Sequence, residues 1–139
     1  MFLSSVKAQV SGPLRRLHGE RGSLTIEATI LFPALILILF LGMQTAMWFH
    51  ARSVAIGAAA DGARAQSLEQ AAPGDGETAA RSFVTQAGGD DVLRGVDVTA
   101  NKSASSTTVT VTGSSMSLIP GWDPSVSQSA TVPVERVTQ

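Results

Sequence analysis

The sequence predicts an α+β chain: a long N-terminal transmembrane helix that extends outward, a short second helix, then a small three-stranded antiparallel sheet. Three observations predict it. Residues 28–49 form a run of 22 residues without a formal charge. Apolar residues then recur at helical spacing between residues 77 and 87, and from residue 96 their period changes to two. With 139 residues, the chain has room for about one domain.

Residues 1–22 mix Gly, Pro, Ser and basic residues with little periodicity, which reads as a leader or cytoplasmic tail. The uncharged run supplies roughly 33 Å of helix at about 1.5 Å per residue, enough for a hydrocarbon core of about 30 Å. Eleven of its residues are Ile, Leu or Phe. Each favours insertion by about 0.3–0.6 kcal/mol, which outweighs Pro33 and Gln44. Trp48, Phe49, His50 and Arg52 form an amphipathic collar, which places the outer membrane interface there. Beyond it an Ala-rich stretch continues the helix outward, with Val54, Ala58, Ala65 and Leu68 at roughly helical spacing. The segment 71–76, containing Pro73, stops it. The expected parts are therefore a basic leader (1–22), a transmembrane and extended helix (23–70) and an extracytoplasmic αβ head (71–139).

In the head, Ala80, Phe83, Val84 and Ala87 fall at i, i+3, i+4 and i+7 and predict a helix from residue 77 to about 87, ended by Gly88 and Gly89. Val96, Val98 and Ala100 alternate with polar residues, as do Val109 and Val111, with a hairpin loop at 101–106. Residues 113–124 read as an irregular connection. The last strand, 129–135, puts Ala130, Val132 and Val134 on one face, and Pro133 belongs at an edge or bulge because it cannot donate to a ladder. Phe83, Val84 and the alternating valines are expected to cover one sheet face, packed on the Ala-rich part of the long helix.

Residues 1–22 carry a formal charge of +3 and residues 53–139 carry −4. The basic flank predicts a single-pass topology with the N-terminus inside and the C-terminus outside. The absence of Cys excludes disulfides and thiolate chemistry. There is no nucleophile and base pair, no metal-ligand cluster, no phosphate-binding loop and no concentrated basic face, so neither an enzyme, a cofactor site nor a nucleic-acid partner is expected.

Glu27 is the one formal charge between Arg21 and Arg52. An acid at the edge of a bilayer asks for a partner or a route to water. Gly22-Ser23-Leu24-Thr25-Ile26-Glu27 resembles the processing site of class III signal peptides in type IV pilins and pseudopilins. The resemblance implies that a prepilin peptidase cuts after Gly22, that Ser23 becomes the N-terminus, and that Glu27 is the fifth mature residue. Gly22 lets an extended backbone enter a protease cleft closely. The new Ser23 amine and the Glu27 carboxylate would lie one helical turn apart, or on neighbouring subunits, and offset each other.

Residues 23–33 with the Leu/Ile run after them, then 49–52 and 58–64, are similar to the N-terminal region of TadE-like proteins, minor pseudopilins of the tight-adherence (Flp) pilus system. Residues 130–136 are similar to the C-terminal strand of actinobacterial members. Ser23 departs from the Phe usual in major type IV pilins. This resemblance implies a pilin-like fold in the bacterial cytoplasmic membrane and a part in pilus assembly. Its implied partners are prepilin peptidase, other pseudopilins, Flp pilin, the inner-membrane assembly platform and the lipid bilayer. Along the helix, Pro33 removes one backbone hydrogen bond and is a candidate kink, while Ala58 and Gly62 are small enough for another helix to approach closely. Helix propensity explains the alanines equally well. Other readings are a pseudopilin of another secretion system, an uncleaved single-pass anchor carrying a binding or adhesive head, and a secreted protein.

Overall fold

The computed structural model describes residues 19–136. Most of the expected leader, with Lys7, Arg15 and Arg16, lies outside the described residues, as does the side chain of Ser23. The elements are α1 (Gly19–Ser67), α2 (Asp75–Gln86), a short 3-10 turn (Gly89–Asp91), β1 (Leu93–Lys102), β2 (Ser106–Ser115) and β3 (Ser125–Pro133). The strands form an antiparallel meander in the order β1-β2-β3. The α+β arrangement is the one the sequence predicts. The chain divides into two compact units, Met1–Leu37 and Ile38–Gln139.

In the first unit the described chain is helical from Gly19, ahead of the boundary expected at residue 23, and it stays helical through Pro33. Proline has no N–H, so the carbonyl of Thr29, four residues back, loses its helical partner. The Thr29 hydroxyl instead donates to the Thr25 carbonyl at 2.7 Å, so it serves the preceding turn. The described side chains here are exposed.

In the second unit, one stripe of α1 covers the sheet. Ala51, Val54, Ala55, Ala58, Ala59 and Ala63 are buried, a pattern of i, i+3, i+4, i+7, i+8 and i+12 that keeps to one helical face. Ala65 is only half-buried and Leu68 is exposed, so the expected spacing through those two residues drifts off the stripe. α1 ends at Ser67, where the Lys102 ammonium donates to the Leu68 carbonyl at 3.0 Å, a cation at the negative end of a helix.

α2 adds Ala80 and Val84 to the core, but Phe83, expected over the sheet, is 36 % exposed. A side chain on Gly57 would come within 2.6 Å of the Phe83 ring, so the ring lies against the flank of α1. The sheet contributes Leu93, Val98, Val109, Val111 and Val126. Burying each of these stabilises the head by about 1.5–3 kcal/mol. On the outer face, Thr108 and Thr131 share a hydroxyl hydrogen bond at 2.8 Å, and Thr110 and Ser129 one at 2.7 Å, each across a paired register position.

All three strands run longer than the alternation suggested. β1 starts at Leu93 because a register shift between Arg94 and Asp97 inserts a bulge at Gly95 (φ +59°), which reverses the in-out phase. Leu93 therefore points the same way as Val98. β2 continues to Ser115, taking residues from what reads as an irregular connection, and β3 begins at Ser125, ahead of the strand expected from residue 129. Pro133 is the last residue of the edge strand β3, while Val134 lies beyond it.

Candidate functional site

In the first unit the functional candidates follow one another along α1. Gly22 is helical and exposed, the backbone of Ser23 continues the helix, and Glu27 is exposed one turn beyond Ser23. Among the described residues Glu27 has neither an ion-pair nor a hydrogen-bond partner. Pro33 lies further along the same exposed surface. Every large apolar side chain from Leu24 to Met43 is 40–70 % exposed. That stretch of about 20 residues spans roughly 30 Å of helix, the thickness of a hydrocarbon core. α1 is thus long and apolar enough to cross a membrane.

Ala58 and Gly62, the candidate helix-packing residues, sit in the second unit and are buried within its own core. A Cβ on Gly62 would stand 2.6 Å from the Gly76 carbonyl oxygen, 3.0 Å from the Ala80 Cβ and 3.2 Å from a Val109 methyl. A Cβ on Gly76 would meet the Gly62 carbonyl oxygen at 2.8 Å. The close approach that small residues permit is made here to α2 and β2 of the same chain.

Two buried glutamines, which sequence reasoning passes over as functional positions, anchor the ends of the head on α1. Gln66 donates from Nε2 to the Ala72 carbonyl at 3.1 Å and accepts from the Gly76 N–H at 3.0 Å, fixing the start of α2. Gln44 donates to the Met116 carbonyl at 3.4 Å and accepts from the Leu118 N–H at 2.8 Å, fixing the β2–β3 connection. Each is 5 % exposed. A buried side-chain amide without partners would cost about 1–3 kcal/mol, so both sites depend on the head folding onto them. The one available signal for Gln44 is a polar residue inside an otherwise apolar run.

Of the amphipathic collar, Trp48 packs against the head, while Phe49 and His50 are exposed. The Trp48 indole donates to the Ser125 carbonyl at 3.2 Å, packs edge-on against Phe49 with ring centres 5.2 Å apart, and carries the Arg52 guanidinium 5.9 Å from its ring. Because the head already covers Gln44, its contact with α1 begins one turn earlier than the interface expected at residues 48–52. An open groove of about 250 Å³ lies there, lined by Gln44, Thr45, Trp48, Trp122 and Pro124.

Residues 22–64 match the family described as TadE-like protein. The match is consistent with a TadE-like protein of the Tad pilus system. It takes in Gly22, Glu27, the exposed apolar stretch and the buried alanine stripe. Comparison with curated proteins and with solved structures found no match.

Proposed function

We propose that this chain is a minor pseudopilin of a Tad/Flp-type pilus, held in the bacterial cytoplasmic membrane by α1 and cut by a prepilin peptidase after Gly22. The observation that carries this reading is the exposed apolar stretch of residues 24–43, which follows Gly22 directly and holds Glu27 at its threshold. The basic leader favours an inside N-terminus, with the head outside. Glu27 has no partner among the described residues, so the carboxylate is free to receive the amine that cleavage at Ser23 would release, in the same chain or a neighbouring one. In this reading the protein is structural and not catalytic: its apolar helix packs among those of other pseudopilins and Flp pilin on the inner-membrane platform, while the head sets the spacing of neighbours.

Gly22 is helical in the uncut chain. A cleft that takes extended backbone must first draw out the opening turn of α1, and a helix end is where such opening is least costly. N-terminal sequencing of the protein extracted from native membranes tests the proposal, with a Gly22→Lys variant beside it. A mature start at Ser23, lost in the variant, is the expected result. An intact N-terminus in the presence of the cognate peptidase would instead identify an uncleaved single-pass anchor that displays a binding head.

A further inference from the structure

The connection between β2 and β3 is an ordered turn held against α1 at Gln44 and Trp48. Gln44 holds its start through Met116 and Leu118, and Trp48 holds its end through Ser125. Within the same unit, the residues of α1 immediately before Gln44 are exposed and apolar, among them Leu39 at 60 % and Phe40 at 54 %. The connection therefore meets α1 where its exposed apolar surface begins.

The turn is locally ordered. The Ser117 hydroxyl accepts from the Ile119 N–H at 3.0 Å, and the Trp122 N–H donates to the Ile119 carbonyl at 3.2 Å. Pro120 and Gly121 are its central residues, and Gly121 has φ +77°. A proline followed by a residue of positive φ is the pattern of a type II turn, which needs glycine at that second position. The turn displays Ile119 at 47 % and Trp122 at 48 % exposure. Among the described residues from 93 onward, exposed large apolar side chains are confined to these two. Asp123, also exposed, follows at once and sets a limit on depth, since its carboxylate must keep water.

We propose that this turn is a second membrane contact, with Ile119 and Trp122 seated in the interfacial layer of the leaflet on the head's side. Tryptophan favours that layer because its ring is apolar and its N–H remains wet. Two contacts, α1 and the turn, restrict how the head can tilt and spin on the membrane, which one helix alone does not. The inference rests on α1 being a membrane helix but not on cleavage after Gly22.

The chain contains no Cys, so Ile119→Cys, Leu39→Cys and Ser105→Cys each introduce a single thiol. The full-length variants, carrying a fluorescent thiol label, are placed in nanodiscs of phosphatidylcholine and phosphatidylglycerol, where both faces meet buffer. The label is then quenched either by lipids brominated near the headgroup or by aqueous iodide. The expected result is strong bromolipid quenching at positions 39 and 119, with iodide quenching at 119 several-fold weaker than at 105. Bromolipid quenching at 39 with free iodide access at 119 would overturn the inference and leave the membrane helix standing. Iodide access at both would overturn the two together. Protection of 119 from both quenchers would show that protein, such as a second copy, covers the turn, and would also overturn it. Trp122→Cys repeats the measurement at the other apolar residue, in case one substitution disturbs the turn.

Discussion

The two ends of α1 are both apolar and are built in opposite ways. Residues 24–43 use Ile, Leu and Phe and leave them exposed, whereas the stripe from Ala51 to Ala63 uses Ala and Val and leaves almost nothing exposed. In water the first arrangement forfeits roughly 25 cal/mol for each Å² of apolar surface left uncovered, so bulk without burial points to a different solvent. The second stretch has little side chain to bury. What it offers is proximity: a helix surfaced with Ala and Gly lets a sheet and a second helix reach its backbone. Residue size, more than hydrophobicity, separates the exposed apolar part of this helix from the part on which the head packs.

The largest expected effect sets two leucines against each other. Leu93→Ala, in the fully buried core, should cost the head about 2–5 kcal/mol. Leu39→Ala should leave the head's unfolding free energy in nanodiscs, read by denaturant titration, within about 0.5 kcal/mol of the parent. Equal losses from the two would erase the distinction. A charge probes the other side of it. Leu35→Arg, near the middle of the exposed apolar stretch, should raise the apparent free energy of insertion, read from a glycosylation-reporter assay, by about 2.5–3.5 kcal/mol. Ser53→Arg, at an exposed position on α1, should not change it.

Smaller changes sharpen the account of the packed end. Gly62→Ala gains about 1 kcal/mol of helix propensity but forces a methyl against the Gly76 carbonyl, Ala80 and Val109. Unfolding should show a net loss within the range of about 1–3 kcal/mol typical of overpacking. The smallest effect should be a gain. The Thr107 hydroxyl is buried on β2 without a hydrogen-bond partner among the described residues. Thr107→Val should therefore raise the unfolding free energy by up to about 1 kcal/mol, and a clear loss would show that the hydroxyl is used.

Legibility in the sequence followed the range of the interactions. The inward valines of β2 were plain because alternation is a local pattern, and 109 and 111 stay in phase along an unbroken strand. Leu93 was hidden because the bulge at Gly95 reverses the phase, and Val126 because one valine among Ser and Gln makes no period. Phe83 has core spacing on α2 yet turns to the flank of α1, a choice that only the packed neighbour could make. The Gly22 to Glu27 spacing is contiguous, so it was readable at once. The role of Gln44 was not, since its partners lie more than seventy residues away.

The contact between Gly62 and Gly76 also bears on which substitutions this chain can accept over time. A Cβ at either position meets the carbonyl oxygen of the other, and a carbonyl belongs to every amino acid. No replacement at one glycine can therefore make room for a side chain at the other, because neither has a side chain to trim. Compensation would require α1 and α2 to separate, and that would draw Gly76 away from Gln66 as well. The two positions are locked jointly: a side chain at either is opposed by the backbone of the other, so no substitution at one relieves the cost of a substitution at its neighbour while this packing is kept.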